Sequence, residues 1–415
     1  MRRRDFLKTA GVAGIVSAAS MVAPAFVRNA WAGGDSVKLG ALFSSSGAMA
    51  NVEGRLNYVV QMAVDELNEK GGVLGKHVQL IKTDPGSNWP IYAQQGRQLL
   101  QQEKVAALFG CWTSASRVAV LPVVEQNQGL LYYPLHFEGQ ENSKNIVYMG
   151  TPPSSSVLPA VDYLMSDDGG KARRFFMLGA DYVWPRTINS ILKGYWQKKW
   201  NIGSDSWEEK YVPVGHSNFQ DLVSQIRAFA DKPGGQPIVV LTVVGNSIPD
   251  FFKEYINQGV SPLDLPVIAL DMVESDLEGL DASKMVGTLN CWSYLQTEKS
   301  ARNKQFLDAW SSYVKNNKVP FSPDISIDPM VSAYDAVHLW AMAAEKAGSF
   351  EVPQVREAFP GLSLKDPSGY DIKMTAENNY VWRGVYIGSS NRDKQFDIAW
   401  KSPSIVKPVP FSPYV

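Results

Sequence analysis

The chain has 415 residues, of which 45% are hydrophobic and 20% are charged, and its formal net charge is −1. This balance gives the protein no electrostatic reason to hold nucleic acid or an anionic membrane surface. The length suffices for two lobes with separate cores. The two cysteines and four scattered histidines form no metal-ligand pattern, and the sequence leaves open whether Cys111 and Cys291 are free buried thiols or a disulfide.

Residues 1–32 are typical of a twin-arginine export signal. Arg3-Arg4 precedes Phe6-Leu7-Lys8 and a mildly apolar run, and Ala30-Trp31-Ala32 fits a small-x-small cleavage site. Gly, Ser and Pro interrupt the apolar run, which favours a cleaved leader over a membrane anchor. Removal of these residues takes away five basic residues and one acidic residue, so the balance changes from 40 − 41 = −1 to 35 − 40 = −5. We therefore expect an exported, mildly acidic mature chain that begins near Gly33.

Two series of alternating strands and helices follow the leader. The first predicts strands at 37–43, 77–83, 106–109 and 130–132, and helices at 55–70, 91–103 and 114–127. The second predicts helices at 157–165, 185–200, 219–230 and 247–258, and strands at 174–178, 208–214, 237–243 and 266–270. Such alternation predicts parallel sheets. The continuous apolar run at 238–241 is typical of a strand that is covered on both faces.

The last third of the chain departs from this alternation. Its pattern predicts a strand at 285–294, helices at 301–315 and 330–347, and short strands near 369–372 and 381–387. A Pro-rich extended tail is expected from Ser402 onward. Two lobes wound in this way imply a cleft between them.

Aromatic and hydroxyl residues gather just past the ends of predicted strands. The segment GCWTSASR at 110–117 follows one strand, and YYPLHFEGQE at 132–141 begins at the end of the next. The carboxyl ends of strands are where open α/β sheets bind ligands. Apolar walls with a few polar groups suit a small neutral solute better than a nucleotide.

Together with GADYVWPRTIN at 179–189, these segments resemble the urea and short-chain amide branch of the periplasmic solute-binding proteins. That branch includes the urea-binding component of ABC transporters and the amide sensor of the amidase operon, and the similarity runs from Val37 to about Pro410. The resemblance implies a type I α/β fold with two doubly wound parallel-sheet lobes. Three crossings would join the lobes, near 151–153, 292–297 and 379–382, and permit hinge closure around a ligand. Lobe one would comprise 35–150 plus 295–380, lobe two 151–294 plus 381–401, and the tail 402–415.

The candidate ligand-binding residues divide between the lobes. Lobe one would supply Trp112, Thr113, Ser114, Tyr133, Leu135, Phe137 and Glu138, and lobe two would supply Tyr182, Trp184, Val244, Gly245 and Glu274. Rings would stack on the faces of a planar solute, and glutamates would accept its N–H groups.

The position of Ser114 before a predicted helix favours a contact with a ligand carbonyl oxygen, aided by the helix dipole. The resemblance maps Ser114 and Tyr182 onto ligand-contacting positions and favours contact near Val244 and Gly245. The alternatives are helix capping for the hydroxyls, core packing for the aromatics and a solvated surface for the acids. The relatives that bind urea commonly have Gln and Tyr where this chain has His136 and Phe137.

The sequence thus predicts a periplasmic protein that captures urea or a short-chain amide and delivers it to an ABC permease. It would need no cofactor or metal, bind no nucleic acid, and meet the membrane only through the permease. Alternatives are a carrier of branched-chain or other amino acids, an amide sensor, which would not need an export signal, and an exported amide hydrolase. No nucleophile–base pair, phosphate loop, G-x-S-x-G or H-E-x-x-H motif supports an enzyme.

Overall fold

The computed structural model describes residues 36–375 and 377–415. The predicted export signal and its cleavage site lie outside the described residues. Within these two ranges, no helix combines the length and the apolar character that a membrane crossing requires.

The N-terminal part forms a five-stranded parallel sheet in the order β2-β1-β3-β4-β5. Its strands are β1 (Val37–Leu42), β2 (Val78–Thr83), β3 (Ala107–Gly110), β4 (Leu131–Tyr133) and β5 (Ile146–Tyr148). The connecting helices are α1 (Ala50–Glu69), α2 (Trp89–Gln101) and α3 (Ser114–Gln126). The predicted β–α alternation is therefore confirmed here. β5 was not predicted, because three residues carry no readable periodicity.

The second sheet has seven strands in the order β15-β14-β10-β9-β8-β6-β7. Its parallel strands are β6 (Ala172–Ala180), β7 (Trp207–Val212), β8 (Gln236–Thr242), β9 (Val267–Ala269) and β10 (Leu289–Trp292), and β14 (Tyr386–Ser390) and β15 (Phe396–Lys401) are antiparallel. Helix α4 (Val157–Met165) precedes β6, and the helices between the parallel strands are α5 (Val183–Trp200), α6 (Gln220–Ala230), α7 (Ser247–Asn257) and α8 (Ala282–Met285).

Strand β8 shows why its sequence is apolar throughout. Ile238 and Val240 point into one hydrophobic cluster, while Val239 and Leu241 point into the other. Helices cover both faces of the sheet, so neither set of side chains meets water.

After β10 the chain returns to the first sheet. The elements there are α9 (Ala301–Asn317), α10 (Asp328–Ala347), α11 (Val352–Glu357) and a small antiparallel sheet of β11 (Ser363–Lys365), β12 (Asp371–Met374) and β13 (Val381–Trp382). Helix α10 packs against α1 and β3, and the chain then passes to β14 in the second sheet. Three passages therefore connect the two large sheets, which confirms the predicted fold class, while the lobe boundaries stay a prediction.

Two predicted strands differ from the structure. The strand predicted at 381–387 divides into β13 and β14, which belong to different sheets, and the buried Arg383 between them bonds to side chains and not to a sheet neighbour of either strand. The strand predicted at 285–294 begins only at Leu289, because Asp281 caps the short helix α8 just before it by accepting a hydrogen bond from the Ser283 backbone. Strands β11 and β15 and helix α11 were not predicted.

A buried ion network lies where the passages meet. Arg383 donates hydrogen bonds to the carboxylates of Asp366 and Asp335, the latter at 3.2 Å. It also donates to the Ser332 hydroxyl at 2.7 Å and to the Met149 carbonyl, just past β5, at 3.2 Å. Burial raises the pKa of Asp335. One guanidinium therefore joins the first passage, the third passage and α10.

Cys111 and Cys291 are both free and buried, so of the two alternatives left open by the sequence, the structure has buried thiols and not a disulfide. Cys291 donates its S–H to the Ser156 carbonyl at 3.3 Å. Burial raises the pKa of both thiols.

Candidate functional site

A small cavity of about 10 Å³ lies between the two large sheets, next to the carboxyl ends of β3, β4, β6 and β9. Its lining consists mainly of aromatic rings with a few polar groups. The lining residues are Trp112, Ser114, Tyr133, Leu135, His136, Tyr182, Trp184 and Asp271. The position agrees with the general rule for ligand sites in open α/β sheets.

Several of these residues occupy equivalent places relative to the strands. Trp112, Leu135, Tyr182 and Asp271 each stand two positions after the last residue of β3, β4, β6 and β9, respectively. Because parallel strands end at one edge of a sheet, this offset brings their side chains together. The offset is equal only when it is counted from the observed strand ends, so the predicted strands did not single out Asp271.

The turn after β3 has an unusual backbone. Cys111 adopts a φ of 70°, in the left-handed region that residues with a side chain rarely enter. Its N–H nevertheless donates to the Leu42 carbonyl at 3.0 Å, which holds the turn in place. Such strain concentrates at ligand sites. Here it sets the direction in which Trp112 and the start of α3 face the cavity.

Thr113 and Ser114 have different roles at the start of α3. The Thr113 hydroxyl oxygen accepts a hydrogen bond from the Ser116 backbone at 3.1 Å and so caps the helix. Ser114 instead lines the cavity. Its Oγ donates to Glu138 Oε2 at 2.5 Å and accepts from Arg117 Nη1 at 3.0 Å.

Arg117 is the buried cation behind this corner of the cavity. Its Nη2 donates to Glu138 at 2.8 Å, and its Nε donates to Glu141 at 3.0 Å. Its guanidinium carbon lies 4.6 Å from the ring centroid of Phe137 and 5.0 Å from that of Tyr133. Two carboxylates and two rings therefore compensate the burial of this charge. Glu138 and Phe137 pack around Arg117 and do not line the cavity.

Two tyrosines from different sheets face the cavity. Tyr133 donates its hydroxyl proton to the Trp112 carbonyl at 2.7 Å. The Tyr182 hydroxyl makes no hydrogen bond to a described residue, and its ring lies 6.3 Å from the Trp89 ring and 6.5 Å from the Trp184 ring. Burial raises the pKa of both tyrosines, so both hydroxyls are protonated at neutral pH.

His136 joins the two sides of the cavity. Its ring stacks between Trp184, at 5.1 Å, and Trp292, at 4.2 Å between centroids. Its Nε2 lies 3.5 Å from Asp271 Oδ1. Burial raises the pKa of Asp271, and the nearby His136 and Trp112 partly offset this rise. Neither His136 nor Asp271 was among the candidate residues, because the sequence does not show that they meet.

Glu274 and the loop after β8, which contains Val244 and Gly245, do not line the cavity. Glu274 Oε1 accepts a hydrogen bond from the Gln296 backbone at 3.2 Å. Burial raises the pKa of Glu274 to about 7, although backbone N–H groups partly offset this effect. Gly245 packs so closely against the loop before α1 that a Cβ there would lie 2.5 Å from the Met49 methyl carbon. Val244 beside it is buried.

The structure thus brings half of the candidate residues to one cavity. Those that line it are Trp112, Ser114, Tyr133, Leu135, Tyr182 and Trp184. Those that do not are Thr113, Phe137, Glu138, Val244, Gly245 and Glu274, and their contact with a ligand stays a prediction. Among residues 36–375 and 377–415, no group of three or more His, Cys, Asp or Glu is placed to hold a metal ion.

The fold is similar to that of several solved structures. A solute-binding protein of an ABC transporter from Rhodopseudomonas palustris, in complex with 3,4-dihydroxybenzoic acid, has a TM-score of 0.76 at 18% identity and covers 90% of this chain and 99% of its own. The branched-chain amino acid transporter substrate-binding protein from Streptococcus pneumoniae, in complex with isoleucine, has a TM-score of 0.70 at 20% identity, with 90% and 100% covered. At these identities the likeness shows the fold alone.

Sequence comparison identifies the family. The chain is 34% identical over 99 residues to Leu/Ile/Val-binding protein homolog 7 of Brucella melitensis, and 32% identical over 99 residues to homolog 8 of Brucella abortus. Each match spans only 24% of this chain and 24% of the relative's length. The periplasmic binding protein domain, a family of binding proteins and not of enzymes, matches residues 37–415. The chain therefore belongs to the periplasmic binding protein family.

Proposed function

We propose that the protein binds urea or a short-chain amide between its lobes in the periplasm and delivers it to an ABC permease. The observation that carries this proposal is the small, ring-walled cavity. Its volume of about 10 Å³ is roughly what a single water molecule needs and is far below the roughly 300–1,000 Å³ of pockets for drug-sized ligands, which favours a very small solute.

The composition of the cavity walls supports a flat, uncharged solute. Trp112, Tyr133, Tyr182 and Trp184 offer ring faces to the weakly hydrated faces of a planar molecule. The indole N–H group of Trp184 is buried and has no hydrogen-bond partner among the described residues, whereas that of Trp112 faces the Asp271 carboxylate. A carbonyl oxygen in the cavity would satisfy such a donor, which is otherwise costly to bury.

The charges near the cavity argue against carboxylate ligands. Arg117, the cation nearest to Ser114, is already paired with Glu138 and Glu141. Asp271 lines the cavity and would repel a carboxylate. Aromatic acids of the kind bound by the Rhodopseudomonas palustris protein therefore fit poorly. A branched-chain amino acid is the second candidate, because its ammonium group would pair with Asp271.

Calorimetric and thermal-shift titrations of the mature protein test this assignment. Urea, formamide, acetamide and propionamide are compared with leucine, isoleucine and 3,4-dihydroxybenzoate. A ligand at 100 times its Kd stabilises the folded protein by about 2.7 kcal/mol, so binding raises the melting temperature. A response to leucine or isoleucine alone would contradict the amide assignment, and release of ammonia would indicate a hydrolase.

A matched pair of variants locates the binding site. Leu135→Phe adds a ring to the cavity wall and is expected to abolish binding. Leu263→Phe makes the same change at a side chain that is 69% exposed and should leave binding intact. If both variants bind equally well, the solute occupies another site.

The export route and cleavage site are proposals as well. Secreted protein is expected to begin near Gly33, as N-terminal sequencing would show. Replacement of Arg3 and Arg4 by lysine is expected to retain the precursor in the cell. Export that persists at the wild-type level would exclude the twin-arginine route.

A further inference from the structure

We propose that Arg117 and Glu138 hold the Ser114 hydroxyl as a hydrogen-bond acceptor, so that this edge of the cavity selects solutes that carry N–H donors. The inference rests on the function proposed above and specifies its donor–acceptor pattern. It reverses the expectation from the sequence that Ser114 donates to a ligand carbonyl oxygen.

The proton of Ser114 already has a partner. A hydroxyl has one proton and two lone pairs. Ser114 Oγ lies 2.5 Å from Glu138 Oε2, and Glu138 Oε1 in turn accepts from Arg117 at 2.8 Å. The carboxylate paired with Arg117 can only accept, so the proton between the two oxygens comes from Ser114. Arg117 Nη1 occupies one lone pair of Ser114 at 3.0 Å, which leaves one lone pair for a solute.

The Tyr133 hydroxyl, like that of Ser114, can only accept a hydrogen bond from a solute. Its hydroxyl is 2.7 Å from the Trp112 carbonyl, and a carbonyl oxygen cannot donate. The Tyr133 proton is therefore committed as well, and only its lone pairs are available. The neighbouring hydroxyls of Ser114 and Tyr133 thus form an edge that accepts and does not donate.

The opposite wall completes the pattern. The Asp271 carboxylate adds acceptor capacity from the second sheet, and the indole N–H of Trp184, which has no hydrogen-bond partner among the described residues, is a donor on the same side. A solute with an NH₂ group on one edge and a carbonyl oxygen on the other matches both sets. Primary amides and ureas have this arrangement. A ketone of the same shape lacks the N–H donors and would leave the acceptors unpaired.

Arg117 acts as a positioning residue. It does not line the cavity, and its side chain is 1% exposed. Its contribution is to hold Glu138 in place and to occupy one lone pair of Ser114. Changing the partner of Ser114 should therefore change which solutes are preferred, and a purely structural role would not produce such a change.

Glu138→Gln makes the decisive change. The amide oxygen of the new side chain would accept from Arg117, so its NH₂ group would face Ser114 and donate to it. The Ser114 proton would then turn toward the cavity. Glu141→Gln is the matched control, because it also removes one carboxylate from Arg117 but has no contact with Ser114.

The test measures the affinities of acetamide and acetone, which have nearly the same shape, by isothermal titration calorimetry. Wild-type protein is expected to bind acetamide at least about tenfold more tightly than acetone. Glu138→Gln should reduce this ratio at least about tenfold, while Glu141→Gln should leave it within about threefold. Ser114→Ala should weaken acetamide binding but not acetone binding, and it tests the same edge if Glu138→Gln does not fold.

Failures of the two proposals are distinguishable. If wild-type protein binds acetamide but prefers it over acetone by less than about threefold, the acceptor edge is refuted and the proposed function stands. An unchanged ratio in folded Glu138→Gln, or equal losses for both solutes in Ser114→Ala, also refutes it. If neither urea nor any amide binds, both proposals are wrong.

Discussion

Glu274 offers a direct test of how burial controls charge in this fold. Burial raises its pKa from 4.5 to about 7. A group whose pKa is higher in the folded state stabilises the protein fully below the unfolded value, and this contribution is lost as the pH rises through the folded value. At about 1.4 kcal/mol per pH unit, the interval from 4.5 to about 7 corresponds to about 3 kcal/mol.

Glu274→Gln removes this titration but keeps an oxygen that can accept from the Gln296 backbone. The variant should match the wild-type stability near pH 4 and exceed it by about 3 kcal/mol at pH 8. Thermal unfolding followed by circular dichroism across this range measures the difference, and urea is avoided because it is a proposed ligand. Glu357→Gln, at an exposed position, is the control and should stay within about 0.5 kcal/mol of wild type.

A pH-independent difference between Glu274→Gln and wild type would refute the burial argument. The same variant also tests the predicted ligand contact. If amide affinity is unchanged at a pH where wild-type Glu274 is ionised, the carboxylate takes no part in binding.

Further predictions concern the buried network, the thiols and the tail. Arg383→Met leaves two buried carboxylates, those of Asp335 and Asp366, without their cation. The free energy of unfolding, measured by thermal unfolding, should fall by about 3–5 kcal/mol. A loss below about 1 kcal/mol would mean that the network is dispensable. Cys111 and Cys291 should not react with a thiol reagent until the protein unfolds, and rapid labelling of native protein would contradict their burial. Truncation after Lys407 removes the Pro410 carbonyl, which accepts a hydrogen bond from the Gln140 backbone at 2.7 Å, and should lower the free energy of unfolding by about 1–3 kcal/mol. An unchanged melting temperature would show that the tail contributes nothing to stability.

The elements with strong periodicity were predictable from the sequence. Helix α4 was predicted with its observed bounds, and β8 was recognised by an apolar run that both cores require. Short strands such as β5 and β11 were missed, because three residues carry too little pattern to distinguish a strand from a loop. Position relative to the strand ends also sufficed to identify Trp112 and Tyr182 as neighbours of the cavity.

The amino-acid sequence by itself determined the two wound sheets and the edge at which aromatic residues collect, because both depend on local periodicity and on where strands end. Only the tertiary structure decided the polarity of that edge. The proton of Ser114 is directed by Glu138, 24 positions away, and His136 meets Asp271 across the two sheets. Hydrogen bonds and burial depend on partners that the fold assembles, and no local pattern specifies them.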